Sequence, residues 1–254
     1  MNSVPPDLSK AVRRAHTPAT RLAGPFAVLV GVGLALVWTV AAALAGHDGF
    51  VTVSVALMTF TTVAALAGQA FNRSYPHDRL GLCNAVTLLR AALASALVAP
   101  ILSPGVLAQD ERIAWAVVVL GIIALALDGL DGWLARRSGL VSEVGARFDM
   151  EVDAFLGLIL SVLALQTGKA GVWVLALGML RYVYVAAGLL LPWLRGSLPE
   201  RFRRKLICVV QIGVLVLLMA PVAMPPASAV IAAVATLLLV WSFAVDVIWL
   251  ARRR

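Results

Sequence analysis

Four aspartates stand at positions 128, 131, 149 and 153, and their spacing sorts them into two pairs. Asp128, Asp131, Gly132, Ala135 and Arg136 fall at offsets of 0, 3, 4, 7 and 8, which is one face of a helix. Gly145, Asp149 and Asp153 follow at intervals of four, again one face. Carboxylates brought together repel unless a cation sits between them. Oxygen ligands without His or Cys favour hard divalent ions, Mg²⁺, Mn²⁺ or Ca²⁺. Four aspartates can hold two such ions, an arrangement that clamps phosphoryl oxygens. Gly132, Ala135 and Gly145 either leave room for a bulky ligand or let helices pack closely. Arg136 can pair with a phosphate or with an aspartate.

The segments that must carry these residues are oily. Of 254 residues, 61% are hydrophobic and 13% charged, and the mean hydropathy is +0.95. A soluble domain has about 45–50% apolar and about 25% charged residues. The composition predicts an all-α, polytopic membrane helical bundle. A carboxylate at the centre of a membrane helix costs roughly 2.5–3.5 kcal/mol on insertion scales, so four of them imply chemistry or ion binding. Apolar runs predict about eight transmembrane helices, near 25–45, 50–70, 81–103, 113–135, 144–166, 170–192, 204–223 and 228–250. The first run is too long for the apolar part of a signal peptide, about 7–15 residues. A retained helix is therefore expected there.

The net charge of +8 follows the topology and does not point to nucleic acid. With alternate loops on opposite sides, one side collects Lys10, Arg13, Arg14, Arg21, Arg73, Arg79, Arg136, Arg137, Arg147, Arg195, Arg201, Arg203, Arg204, Lys205 and the three terminal arginines. The other side holds Arg112 and Lys169, while Arg90 and Arg181 fall inside spans. This bias predicts a multi-pass protein of the cell (inner) membrane, with both termini and the aspartate loop facing the cytoplasm. Some of the basic residues can also touch anionic membrane lipids. Cys83 and Cys208 lack a metal spacing and read as small apolar residues.

The spacing D-x2-D-G-x2-A-R-x8-G-x3-D-x3-D resembles the CDP-alcohol phosphotransferase family. Asp128, Asp131, Gly132, Ala135, Arg136, Gly145, Asp149 and Asp153 fill every fixed place. Asn84, Thr87 and Arg90 match an N-x2-T-x2-R pattern of that family's first core helix. The resemblance implies a six-helix catalytic core over residues 81–254, with residues 1–80 adding an N-terminal tail and two extra helices. It also implies two divalent cations, Mg²⁺ or Mn²⁺. Asp128, Asp131, Asp149 and Asp153 would ligate them, Asp153 serving also as general base. Gly132, Ala135, Arg136 and Gly145 would line the CDP pocket, with Asn84 and Thr87 near the pyrophosphate or nucleotide. A homodimer is the expected assembly.

The expected reaction moves a substituted phosphate from CDP-diacylglycerol to the hydroxyl of a small polar acceptor, releasing CMP. The alternatives are a soluble choline- or ethanolamine-type CDP-alcohol with diacylglycerol as acceptor, and, remotely, a cation transporter using intramembrane carboxylates. The acceptor stays open. Phosphatidylglycerophosphate synthases of the family carry an Arg-Glu pair and a K-x-K-T stretch. Here Arg181 precedes Tyr182, and Lys205 precedes Leu206 and Ile207. Arg181, Arg204 and Lys205 can still bind an acceptor phosphate, or the basic cluster can serve as a topology anchor. Asp246 is expected to pair with Arg252, and His77 to lie in a solvated loop.

Overall fold

One helix is enclosed by the others. The computed structural model describes residues 18–45, 49–138, 140–196 and 202–253. Among them are nine α-helices and no strand. They are α1 (Pro18–Leu44), α2 (Gly49–Ser74), α3 (Leu82–Ala96), a single-turn α4 (Val106–Gln109), α5 (Glu111–Ser138), α6 (Glu143–Gln166), α7 (Leu175–Leu190), α8 (Phe202–Met219) and α9 (Ala227–Ala251). A 3₁₀ turn at Ala99–Leu102 extends α3 into a membrane-length segment, of which 67% is buried, against 22–28% for the other spans. Small side chains allow this. Ala91, Ala92, Ala94, Ser95 and Ala96 are all buried, so α1, α2, α5 and α6 can pack closely around α3.

Among the described residues, six helices are long and apolar enough to cross a membrane: α1, α2, α3 with its 3₁₀ turn, α5, α7 with the preceding 3₁₀ turn, and α9. The protein is a polytopic helical bundle. The other two long helices, α6 and α8, have 24 and 18 residues. α6 carries five charges in its first half, Glu143, Arg147, Asp149, Glu151 and Asp153, and α8 carries Arg203, Arg204 and Lys205 in its first turn.

α6 starts where its sequence directs. Ser142 has extended backbone, and its Oγ accepts the Gly145 amide at 3.0 Å, satisfying one of the donors a helix start leaves open. Glu143 in the first turn adds a favourable interaction with the helix dipole.

Only residues 139–142 separate α5 from α6, and the short link predicts that these two helices lie against each other. They do not pack along one another. α3 and α8 each pack against both and hold them apart. The physical reason is the charge at the junction: four carboxylates pointing inward repel, and a cationic side chain from α3 fills the space between them.

Candidate functional site

That side chain is Arg90. It is buried on α3, 1% exposed, with its guanidinium among all four aspartates. Nη1 donates to Asp131 Oδ2 at 2.9 Å and to Asp149 Oδ1 at 2.6 Å, and lies 3.3 Å from Asp128 Oδ1. Nη2 donates to Asp153 Oδ1. In the sequence Arg90 stands only as a charge inside a span and as the last residue of a motif. The sequence did hold a clue, because Asn84, Thr87 and Arg90 recur every three residues and so share one helical face.

The carboxylates are graded in depth. Asp131 is 4% exposed, Asp128 17%, Asp153 21% and Asp149 33%. Asp131 therefore forms the floor and Asp149 the mouth of the cleft. Thr87 Oγ1 lies 3.3 Å from Asp131 Oδ2 and 2.9 Å from the Cys83 carbonyl, so Thr87 buttresses the floor carboxylate.

Asp128, Asp131 and Asp149 each place one oxygen within 4.8 Å of the others, close enough to share a metal ion. The donors are all hard oxygens, and four negative charges exceed the single positive charge of Arg90. A divalent cation fits that donor set and that surplus. Asp153 falls outside the trio although its carboxylate belongs to the same Arg90 network.

Gly145 is required by its neighbour across the cleft. A Cβ there would stand 2.5 Å from Asn84 Oδ1, closer than carbon and oxygen approach, and 3.0 Å from Ser142 Oγ, a tight contact. Asn84 is buried on α3, and its Nδ2 donates to the Tyr75 hydroxyl at 3.0 Å. The small residue thus permits the close approach of Asn84 on α3 to the first turn of α6. Gly132 is half-buried on the aspartate face of α5, and the side chains of Ala135 and Arg136 lie outside the described residues.

The basic residues proposed for an acceptor stand in two places. Arg181 on α7 pairs with Glu151 on α6. Glu151 is two residues from both Asp149 and Asp153, which turns it to the opposite face of its helix. Arg181 is thereby directed away from the aspartate cleft, towards a partner that its own sequence neighbour Tyr182 does not supply. On α8, Arg203 donates to Asp246 Oδ1 at 2.6 Å and to the Ser242 carbonyl at 3.1 Å. Arg204 Nε lies 3.8 Å from Asp246 Oδ2, and Lys205 is exposed. Asp246 thus pairs with α8 and not with Arg252, which is six residues on and so turned to another face of α9. Arg201 lies outside the described residues.

The segment between α2 and α3 also reaches the α5–α6 link. His77, expected in solvent, is half-buried and its Nε2 lies 3.2 Å from the Val141 carbonyl in the α5–α6 link. Tertiary contacts of this kind leave no periodic trace in a loop sequence.

The family model described as CDP-alcohol phosphatidyltransferase matches residues 80–246. No curated protein and no solved structure matches the chain. The family match covers well over half of the sequence and includes all four aspartates, and the chain belongs to this family.

Proposed function

We propose that this member of the CDP-alcohol phosphatidyltransferase family takes CDP-diacylglycerol as donor and a small polar alcohol as acceptor, releasing CMP. The family membership carries the transfer of a phosphoalcohol from a CDP-alcohol to an alcohol. The choice of a lipid donor rests on the position of the aspartates. They stand at one end of long apolar helices, where a water-soluble CDP group and a lipid tail can be held together.

Asp128, Asp131 and Asp149 would hold divalent cations, Mg²⁺ or Mn²⁺, which when bound neutralise charge on the pyrophosphate and on departing CMP. The chain's own residues do the rest. Gly132 and Gly145 would line the CDP pocket, Gly145 by letting Asn84 stand over the first turn of α6, and Arg136 is placed by the motif to pair with a phosphate. Asn84 offers its amide beside Gly145, and Thr87 holds Asp131 in register. Asp153 accepts the proton of the acceptor hydroxyl. The oxygen so exposed attacks the phosphorus distal to cytidine, forming one P–O bond. The anhydride P–O bond breaks, and its electrons leave on CMP. Arg90 keeps the four carboxylates oriented.

Arg204 and Lys205, at the start of α8, are the basic residues best placed to meet an acceptor phosphate. Arg181, held by Glu151, is assigned a supporting part. The orientation follows from the basic loops: the site and both termini face the cytoplasm of the cell (inner) membrane. All eight long helices would cross it, α6 and α8 with their charged ends at that surface. The two helices before the core would form an added unit, and the assembly would be a homodimer.

The test is CMP release by purified protein in lipid. It would be supplied with radiolabelled CDP-diacylglycerol, Mn²⁺ or Mg²⁺, and a panel of polar alcohols and their phosphates. Release with one acceptor, abolished by EDTA, supports the reading. Release only from CDP-choline or CDP-ethanolamine with diacylglycerol would overturn the choice of donor.

A further inference from the structure

The two helices that precede the matched core end in a buried tyrosine that touches a residue of the site. Tyr75 follows α2, outside residues 80–246, and is 8% exposed. Its hydroxyl accepts from Asn84 Nδ2 at 3.0 Å and from the Gly81 amide at 3.2 Å, and it lies 3.3 Å from the Arg79 carbonyl, to which it donates. One donor and two acceptors are all that a phenol can supply, so the hydroxyl is fully used. The ring is fixed as well. Phe71 meets it edge to face at 5.3 Å, and Phe71 in turn meets Phe148 at 5.7 Å, next to Asp149 in the sequence. His77 also meets the ring edge to face at 5.4 Å while reaching Val141 in the α5–α6 link.

The consequence lies in the Asn84 amide. A primary amide has two ends of opposite character, and a rotation of half a turn about the last bond exchanges them. With Nδ2 held by Tyr75, Oδ1 is directed at the first turn of α6, over Gly145, where a side chain on residue 145 would collide with it. Asn84 is thereby presented as an acceptor for a ligand N–H or O–H group, of the kind a cytosine amino group or a ribose hydroxyl carries.

We propose that Tyr75 is a positioning residue for nucleotide recognition. It locks the Asn84 amide in its acceptor orientation, and through it the N-terminal helices act on the site. This rests on the reading of Asn84 as part of the CDP pocket. The full-length protein in lipid, with Mg²⁺ and CMP as the probe, tests both levels. Tyr75→Phe removes the hydroxyl and keeps the ring. It is expected to weaken CMP binding and raise the KM for the CDP donor roughly three- to tenfold, the range of one neutral hydrogen bond, with kcat nearly unchanged. Asn84→Ala is expected to weaken CMP binding by at least as much. In the double variant Tyr75→Phe should add nothing to the loss from Asn84→Ala, because its effect passes through that amide.

Unchanged CMP affinity in Tyr75→Phe, with a loss in Asn84→Ala, would overturn the positioning role and leave the pocket standing. Unchanged affinity in Asn84→Ala would overturn the reading of Asn84 itself. Should the phenylalanine variant fail to fold, the unaltered protein still decides the matter. The chain has three asparagines, Asn2, Asn72 and Asn84, so ¹⁵N-asparagine labelling gives few side-chain amide signals. The Asn84 amide protons, held by Tyr75, should exchange slowly and shift on CMP addition. Fast exchange without a shift would overturn the proposal.

Discussion

Arg90 Nη1 lies 2.6 Å from Asp149 Oδ1, so a cation on the enclosed helix α3 touches the aspartate at the mouth of the cleft. The same guanidinium reaches the other three carboxylates. In the protein without metal it is the shared counter-charge of the cluster. Divalent cations and Arg90 then act on the same oxygens, and several of the following expectations turn on that.

Arg90→Met removes the shared cation and leaves four inward carboxylates uncompensated. Breaking a buried ion pair from one side costs roughly 3–5 kcal/mol. In EDTA the thermal midpoint of the purified protein should fall clearly. Mn²⁺ should raise it more in the variant than in the parent, because the ion is then the main compensating charge. Equal Mn²⁺ shifts in both proteins, measured by thermal unfolding in detergent, would separate Arg90 from the carboxylate balance.

Asp149 and Asp153 stand one turn apart on α6, yet only Asp149 belongs to the close oxygen trio. Asp149→Asn should lower Mn²⁺ affinity, read by titration of the free-ion EPR signal. Asp153→Asn should keep Mn²⁺ affinity within a few-fold and lose turnover by roughly 10²–10⁴, the usual contribution of a positioned base. Retained CMP release in Asp153→Asn would remove it from that role.

Both faces of this arrangement were legible in the sequence, because helical spacing alone aligns Asp128 with Asp131 and Asp149 with Asp153. The separation of α5 from α6 was not legible. A link as short as 139–142 predicts contact, and only the third helix carrying Arg90 reveals what stands between them. Arg90 itself was visible as a charge in an apolar span, but its partners lie 38 or more positions away. The pairings Arg181–Glu151 and Arg203–Asp246 are of the same kind, set by which helices pack and not by any local pattern.

Two glycines of the aspartate stretch should answer differently to a methyl group. At Gly145 an added Cβ meets Asn84 Oδ1 at 2.5 Å, whereas at Gly129 nothing lies within 4 Å. Overpacking of a tight site costs about 1–3 kcal/mol, so Gly145→Ala should lower stability and raise the KM for the CDP donor. Gly129→Ala should be neutral or slightly stabilising, since alanine favours a helix over glycine by about 0.8–1.0 kcal/mol. Thermal unfolding with steady-state CMP release on the same preparations compares them. Equal tolerance at both positions would contradict the contact between Gly145 and Asn84.

The basic cluster of α8 divides in the same way into structural and available charge. Arg203 is engaged by Asp246, by the Ser242 carbonyl and by the Trp241 ring, its guanidinium carbon 5.2 Å from the ring centre. It joins α8 to α9, and Arg203→Ala should cost stability while leaving the acceptor KM of the folded fraction nearly unchanged. Lys205 is exposed two positions on, so Lys205→Ala should leave stability within about 0.5 kcal/mol. A hydrogen bond to a charged group contributes about 1.5–3 kcal/mol. If an acceptor phosphate rests on Lys205, its loss should raise the KM for a phosphorylated acceptor by about tenfold or more, and added salt should narrow the gap between variant and parent. The KM for an uncharged acceptor should stay level. A KM that moves equally for charged and uncharged acceptors would assign Lys205 to the membrane surface instead, where it acts on the lipid and not on the substrate.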